Sequence, residues 1–247
     1  MCLNKPGHLK ILICCLFYVN IAGAQELSND SLNNSLDQSY PVKLYYTAIG
    51  ENAHIYNGFE YMTPDRNIKG TPYFLSDGPS PSNLSYEDSY YKDFPVIYDM
   101  VRDLVVINRL GENFRISLIS DKLVSFSLRK HDFIRVSQDS TKGVDLATGF
   151  YDRVYAGKST VLVKRKKHLQ ETLIYSVASY EYIEEDFYFV KFGGKYVEVK
   201  NKASVLKLFN AKKSEIKSYL RKNKLRFKSD FEKTLTAASA YYDQLTS

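Results

Sequence analysis

The chain has 247 residues, a formal net charge of +6, and three cysteines, Cys2, Cys14 and Cys15. All three fall in an N-terminal leader predicted to be removed, which excludes disulfides, thiol nucleophiles and thiolate metal sites together from the mature chain. Such a chain must be held by its core. The 223 residues from Gln25 to Ser247 suffice for one domain with an appendage, since a chain of that size buries roughly 70% of its unfolded surface.

The leader has the parts of a secretory signal. Lys5 and Lys10 form a positive start with no acidic residue nearby, and Ile11 to Ile21 is an apolar run too short to span a bilayer of about 30 Å. Ala22-Gly23-Ala24 then offers the small residues of a cleavage site. Residues 1–24 are therefore read as a signal peptide and the chain as exported: periplasmic, outer-membrane-associated or secreted, with no transmembrane span in its mature form. A buried N-terminal helix and a lipoprotein are the alternatives, although neither Cys14 nor Cys15 follows the small residues that lipid modification requires.

Residues 25–41 are polar and rich in Ser and Asn, which predicts a flexible leader. From 42 to 200, short runs of Tyr, Val, Ile and Phe alternate with turn residues, the punctuation of a β-rich domain. The runs predict strands at Val42–Thr47, His54–Met62, Thr71–Leu75, Phe94–Tyr98, Leu104–Asn108, Phe114–Ile119, Leu123–Leu128 and Phe133–Val136. Further strands are expected at Gly149–Tyr155, Ser159–Lys167, Leu173–Glu181, Phe187–Phe192 and Lys195–Lys200. Asp77–Ser85, with its prolines, reads as a surface loop, and Gly193-Gly194 as a two-residue hairpin turn needing positive φ at both positions. So many short strands imply an antiparallel sandwich or a partly open barrel.

After Lys200 the period changes to that of helices, and residues 201–247 read as a basic C-terminal segment of two to three α-helices. Asn201 is a plausible cap for a helix near 202–210, a second is expected near 212–222, and Ser229 to Glu232 has the form of a capping box opening a third. In that third helix Phe231, Leu235, Ala238, Tyr242 and Leu245 make one apolar stripe.

No arrangement of residues amounts to a recognisable active site, and no catalytic, metal or cofactor-binding residue is assigned. Gly157-Lys158-Ser159 resembles the end of a phosphate-binding loop, but Asp152 stands where its first glycine belongs. His54, His131 and His168 are too scattered for a zinc motif. Asp99 with Asp103, and the run Glu184-Glu185-Asp186, are the carboxylates that could pair in a glycan hydrolase. The 21 tyrosines suit strands, and the lack of tryptophan weakens a sugar-binding reading.

Charge is polarised along the chain. Residues 25–110 carry a net −6 and residues 200–247 a net +8. Lys164, Arg165, Lys166 and Lys167, with Lys212, Lys213, Lys217, Arg221, Lys222 and Lys224 of the tail, are the candidate polyanion-binding residues. Lysine outnumbers arginine in the tail, which argues for diffuse attraction to an anionic surface rather than sequence-specific readout of nucleic acid. The partners this implies are an anionic envelope surface, a polysaccharide or an acidic protein.

The order YNGFEY (Tyr56–Tyr61), PVIYDMVRDLVVI (Pro95–Ile107), LISDKLVSF (Leu118–Phe126), GFYDRVYAGKSTVLVKRKK (Gly149–Lys167) and the helical run from Ser204 to Leu235 resembles a family of exported proteins of Bacteroidota-type bacteria. The likeness covers nearly all of the chain after the leader. It implies export and a single continuous unit, and brings no catalytic residues. The expected function is an exported, non-enzymatic cell-envelope protein with a binding or scaffolding role. The alternative is an envelope glycan hydrolase working through a carboxylate pair.

Overall fold

The computed structural model describes residues 54–246, apart from 66, 110–113, 139–145 and 176. The expected signal peptide and flexible leader, the strand expected at 42–47 and all three cysteines lie outside the described residues, which belong to one compact unit, Pro41–Ser247. Among the described residues, eleven antiparallel strands form one sheet: β1 (Phe59–Glu60), β2 (Ser80–Tyr86), β3 (Ser89–Asp99), β4 (Leu104–Asn108), β5 (Arg115–Ser117), β6 (Leu123–Leu128), β7 (His131–Val136), β8 (Gly149–Ala156), β9 (Thr160–Ile174), β10 (Val177–Phe192) and β11 (Lys195–Glu198). Their order across the sheet is β1-β5-β4-β3-β2-β6-β7-β8-β9-β10-β11. Three helices follow, α1 (Lys202–Leu208), α2 (Lys213–Lys222) and α3 (Phe231–Leu245). Among the described residues no helix is long and apolar enough to cross a membrane.

The sheet is not flat. Strands β3 and β8 stand four places apart, which in a flat sheet would separate them by about 19 Å. Yet the rings of Tyr98 on β3 and Phe150 on β8 lie 6.2 Å apart, and both pack against Phe126 from a strand between, while Tyr98 also meets Phe133. Only a sheet curled around its own side chains brings these rings together. The result is an open roll whose edge strands, β1 and β11, do not meet. Its interior packs Leu84 with the aromatic rings of Tyr86, Tyr98, Phe126, Phe133 and Phe150, all nearly or fully buried.

Burial explains where the observed elements depart from the expected ones. Ser80–Tyr86, expected as a loop, is an internal strand that alternates buried Ser82, Leu84 and Tyr86 with more exposed residues. Its one proline does no damage because Pro81 faces Pro95 of β3, and β6 pairs with β2 only from Leu84 onward. Thr71–Leu75, expected as a strand, makes a single bridge, Tyr73 to Asp99, although Tyr73 and Phe74 are buried. His54–Met62 is a one-turn 3-10 helix, His54–Tyr56, followed by the two-residue β1.

The largest departure is the β9–β10 hairpin. The sequence suggests breaks between Lys167 and Leu173 and again at Glu184 to Asp186, whereas both strands run through. Lys167, Lys166 and Arg165 stand directly opposite Glu184, Glu185 and Asp186. Charges that look like interruptions in either strand alone are cross-strand pairs of the kind that stabilise a ladder. Beyond this charged band the hairpin projects past its neighbours, and Tyr175 at its turn is 98% exposed. The Gly193-Gly194 turn forms as expected, with φ of 56° and 82°.

The helices pack on β8–β10. Val161 and Val190 of the sheet, with Val199, meet Val205, Phe209, Ile216, Leu220, Leu235 and Ala238 in a second core. Asn201 caps α1, and Ser204 returns the bond to complete a capping box. The cap of α3 is not Ser229 but Asp230, whose carboxylate accepts from the Lys233 N–H at 2.9 Å. Glu232, expected to reach back to the helix start, turns instead to Arg165.

Candidate anion-binding site

The two basic clusters singled out in the sequence have different fates. In the first, three of the four side chains are turned to internal work. Arg165 is buried, with its Nε and Nη2 donating to Asp152 at 3.0 and 2.6 Å and its Nη1 donating to Asp186 at 2.6 Å and reaching Glu232 at 2.8 Å. Burial opposes the charge on Arg165, but its bonds to Glu232 and Asp152 more than offset this and hold its proton above the ordinary arginine value. Lys164 donates to Asp103 at 2.6 Å and to the Phe150 carbonyl at 3.0 Å. Burial pulls its ammonium below the ordinary lysine value, and Asp103 restores part of the loss. Lys167 donates to the carbonyls of Thr71 and Tyr73. Only Lys166 is exposed, and it stands opposite Glu185.

The carboxylates weighed for hydrolysis are engaged in the same way. Asp99 is fully buried and accepts from the Tyr61 hydroxyl at 2.7 Å and from the Val101 and Arg102 N–H groups. Asp103 accepts from the Tyr98 hydroxyl at 2.6 Å and from Lys164. His131 shares Asp152 with Arg165, at 2.6 Å. Among the described residues no group of three or more His, Cys, Asp or Glu is placed to hold a metal ion.

The second cluster opens outward. In α2, Ile216 and Leu220 recur four apart and are buried in the second core, which leaves Lys213, Lys217, Arg221 and Lys222 in solvent. The helix then reverses through a tight C-terminal motif. The Lys224 N–H donates to the Arg221 carbonyl, and the Leu225 N–H to the Leu220 carbonyl at 2.9 Å, with Lys224 itself at φ 56°. This is the 5→2 and 6→1 bonding that usually places glycine at the left-handed position. The turn carries residues 225–228 back alongside α2 and the start of α1.

Between these segments lies a cleft of about 1000 Å³. Its cations are Lys200, Lys202, Lys217, Arg221, Lys224, Arg226 and Lys228, and no carboxylate lines it. Lys200 pairs with Glu198, and the other six have no ion pair among the described residues. Three of the residues expected from sequence, Lys217, Arg221 and Lys224, therefore converge here. Lys213 and Lys222 lie outside the lining, and Lys212 is paired with Glu215. Sequence reasoning missed Lys200, Lys202, Arg226 and Lys228, and also the apolar floor made by Leu206, Leu220, Leu225, Phe227 and Phe231. The alternation Lys224-Leu225-Arg226-Phe227-Lys228 was the available signal.

The tyrosines around these networks give a pH test. Tyr151 and Tyr188 are each pushed up to about 12, in both cases first by burial, and then by Asp103 for Tyr151 and by Asp186 for Tyr188. Burial and Asp103 also raise Tyr98 well above the ordinary tyrosine value. A phenol whose folded value lies above its unfolded value of about 10 gives its full stabilisation below pH about 10 and loses it as pH rises through the folded value. In a tyrosinate absorbance titration, exposed tyrosines are expected to ionise first. The buried set should follow only as pH approaches about 12, together with loss of structure. A single wave of ionisation near pH 10, with the fold intact, would contradict these burials.

No protein-family model, curated protein or solved structure matches this chain.

Proposed function

We propose that the chain is an exported, non-enzymatic protein of the cell envelope, one of the exported Bacteroidota-type family it resembles, whose C-terminal helical segment engages an anionic partner. The β-rich roll serves as its scaffold. The observation that carries this reading is the α1–α2 cleft, where six cations without ion pairs among the described residues are gathered and no carboxylate faces them. On β9 and β10, by contrast, basic side chains are matched by carboxylates across the ladder. A concentration of one sign raises the local potential and attracts the opposite charge. Lysines on flexible stems favour a phosphate- or sulfate-bearing surface over a defined base sequence.

The test is binding of the purified chain to phosphatidylglycerol vesicles and to a sulfated polysaccharide. Each juxtamembrane cation is worth about 1 kcal/mol near an anionic surface, so the double variant Lys217→Glu, Arg221→Glu should weaken vesicle binding at least about tenfold. Binding should also fall as salt rises. Affinity unchanged by the double variant, or by salt, would refute the role of the cleft. Fractionation with mass spectrometry of the native protein tests export: a mature N-terminus at Gln25 is expected, and Met1 retained on a cytosolic protein would refute it.

A further inference from the structure

The walls and floor of the α1–α2 cleft differ in chemistry. Cations crowd its rim, whereas its floor is apolar: Leu206 and Leu220 form the base, and Leu225, Phe227 and Phe231 stand half-buried above them. We infer that this cleft binds an anionic amphiphile, a molecule with a phosphate head and a hydrocarbon body, presented either as a single molecule or within a lipid surface. The inference rests on the anion-binding reading above and narrows it to one class of ligand.

Three features point this way. A purely hydrophilic polyanion would leave the Phe227 and Leu225 side chains uncovered, whereas a hydrocarbon body would take them out of water, which is favourable in proportion to the area removed. The cavity, at about 1000 Å³, is at the upper end of the size that encloses a small ligand. Finally, Lys224 holds a left-handed conformation that favours glycine, so a cation occupies the one position of the turn where the backbone would be relieved by losing its side chain. Strained non-glycine positions of this kind cluster at ligand sites.

The experiment is calorimetric titration of the full chain with dodecyl phosphate below its micelle-forming concentration, with inorganic phosphate, and with the uncharged dodecyl maltoside. Dodecyl phosphate is expected to bind at least about tenfold tighter than either of the others, since a few buried methylenes supply that factor over inorganic phosphate and the charge on the head group supplies it over dodecyl maltoside. Phe227→Ser should lower dodecyl phosphate binding towards that of inorganic phosphate and leave inorganic phosphate binding as it was. Lys224→Gly, which relieves the backbone and does not threaten the fold, should weaken dodecyl phosphate binding without lowering the unfolding midpoint.

Vesicles of phosphatidylglycerol and of phosphatidylcholine distinguish the sources. Cleft-dependent binding to anionic vesicles with none to monomeric dodecyl phosphate assigns the lipid surface, and the reverse assigns a single molecule. Equal affinity for inorganic and dodecyl phosphate would overturn the amphiphile and leave the anion-binding reading standing. No binding of any anion would overturn both. Dodecyl phosphate binding indifferent to Lys224→Gly and Phe227→Ser would place the ligand elsewhere and refute this site.

Discussion

Replacing Arg165 by methionine is expected to destabilise the protein by about 3–5 kcal/mol, the cost of breaking a buried ion pair from one side. The side chain is only 8% exposed, and its most deeply buried partner, Asp152, is 1% exposed. Methionine would fill much of the volume but leave Asp152 with His131 as its remaining ionic partner, and leave Asp186 and Glu232 facing it across the vacated space. The cost therefore comes mainly from the stranded carboxylates. Arg165→Lys should lose less, because one ammonium keeps the charge but cannot reproduce the two N–H bonds that converge on Asp152 Oδ2 while also reaching Asp186 and Glu232. Urea unfolding should show the midpoint falling with the slope unchanged. A loss below about 1 kcal/mol, the range of exposed pairs, would mean that the cluster is far wetter than its burial implies. Because Glu232 lies on α3 and Asp152 on β8, the same arginine also ties the helical layer to the sheet.

Phe209→Ala should cost a similar amount, about 3–5 kcal/mol, for a different reason. The ring is fully buried at the end of α1, lies 4.7 Å from the ring of Tyr242 in a near-parallel stack, and meets Phe192 of β10 edge-on at 6.0 Å. Three elements thus close on one side chain, and its loss leaves a cavity that none of them can fill alone. Hydrogen exchange should report the damage unevenly. Amides of α1, α2 and α3 should lose protection before those of β6 and β7, whose aromatic core does not include Phe209. A loss under about 1 kcal/mol would show that the helical layer repacks freely around the gap. Equal loss of protection everywhere would show that the two cores unfold as a single unit.

How much of this was legible in the sequence depended on whether a signal was local. Gly193-Gly194, the Asn201 cap and the bounds of β4 and β6 follow from neighbouring residues alone, and they hold. The antiparallel β-rich body followed by helices could be read from periodicity. Strand β2 could not, because its proline, Pro81, is accommodated opposite a matching proline on the next strand, 14 residues away. The long hairpin was hidden for the same kind of reason: its basic and acidic runs interrupt each strand in isolation and complete one another across the ladder.

The candidate site was half legible. The excess of lysine in the tail is compositional and visible. The floor under it depends on a left-handed turn at Lys224, where the sequence shows no glycine to announce a reversal. Likewise nothing local distinguishes Arg165, spent inside the fold, from Lys166 beside it in solvent. That choice is made by strand parity and by Asp152, Asp186 and Glu232, each remote in sequence from the arginine it meets.

The matched charges on β9 and β10 also fix how the two strands can be aligned. The smallest slip that keeps every side chain on its own side of the ribbon is two residues. In one direction it would set Lys167 against Asp186 but Arg165 against Tyr188 and Lys166 against Phe187. In the other it would set Arg165 against Glu184 but leave Lys167 beside Tyr182 and Asp186 beside Val163. Either error forfeits ionic contacts and presses a charge against an aromatic or aliphatic neighbour. A ribbon this long would otherwise have several nearly equivalent ways to zip up, and the charges leave it one.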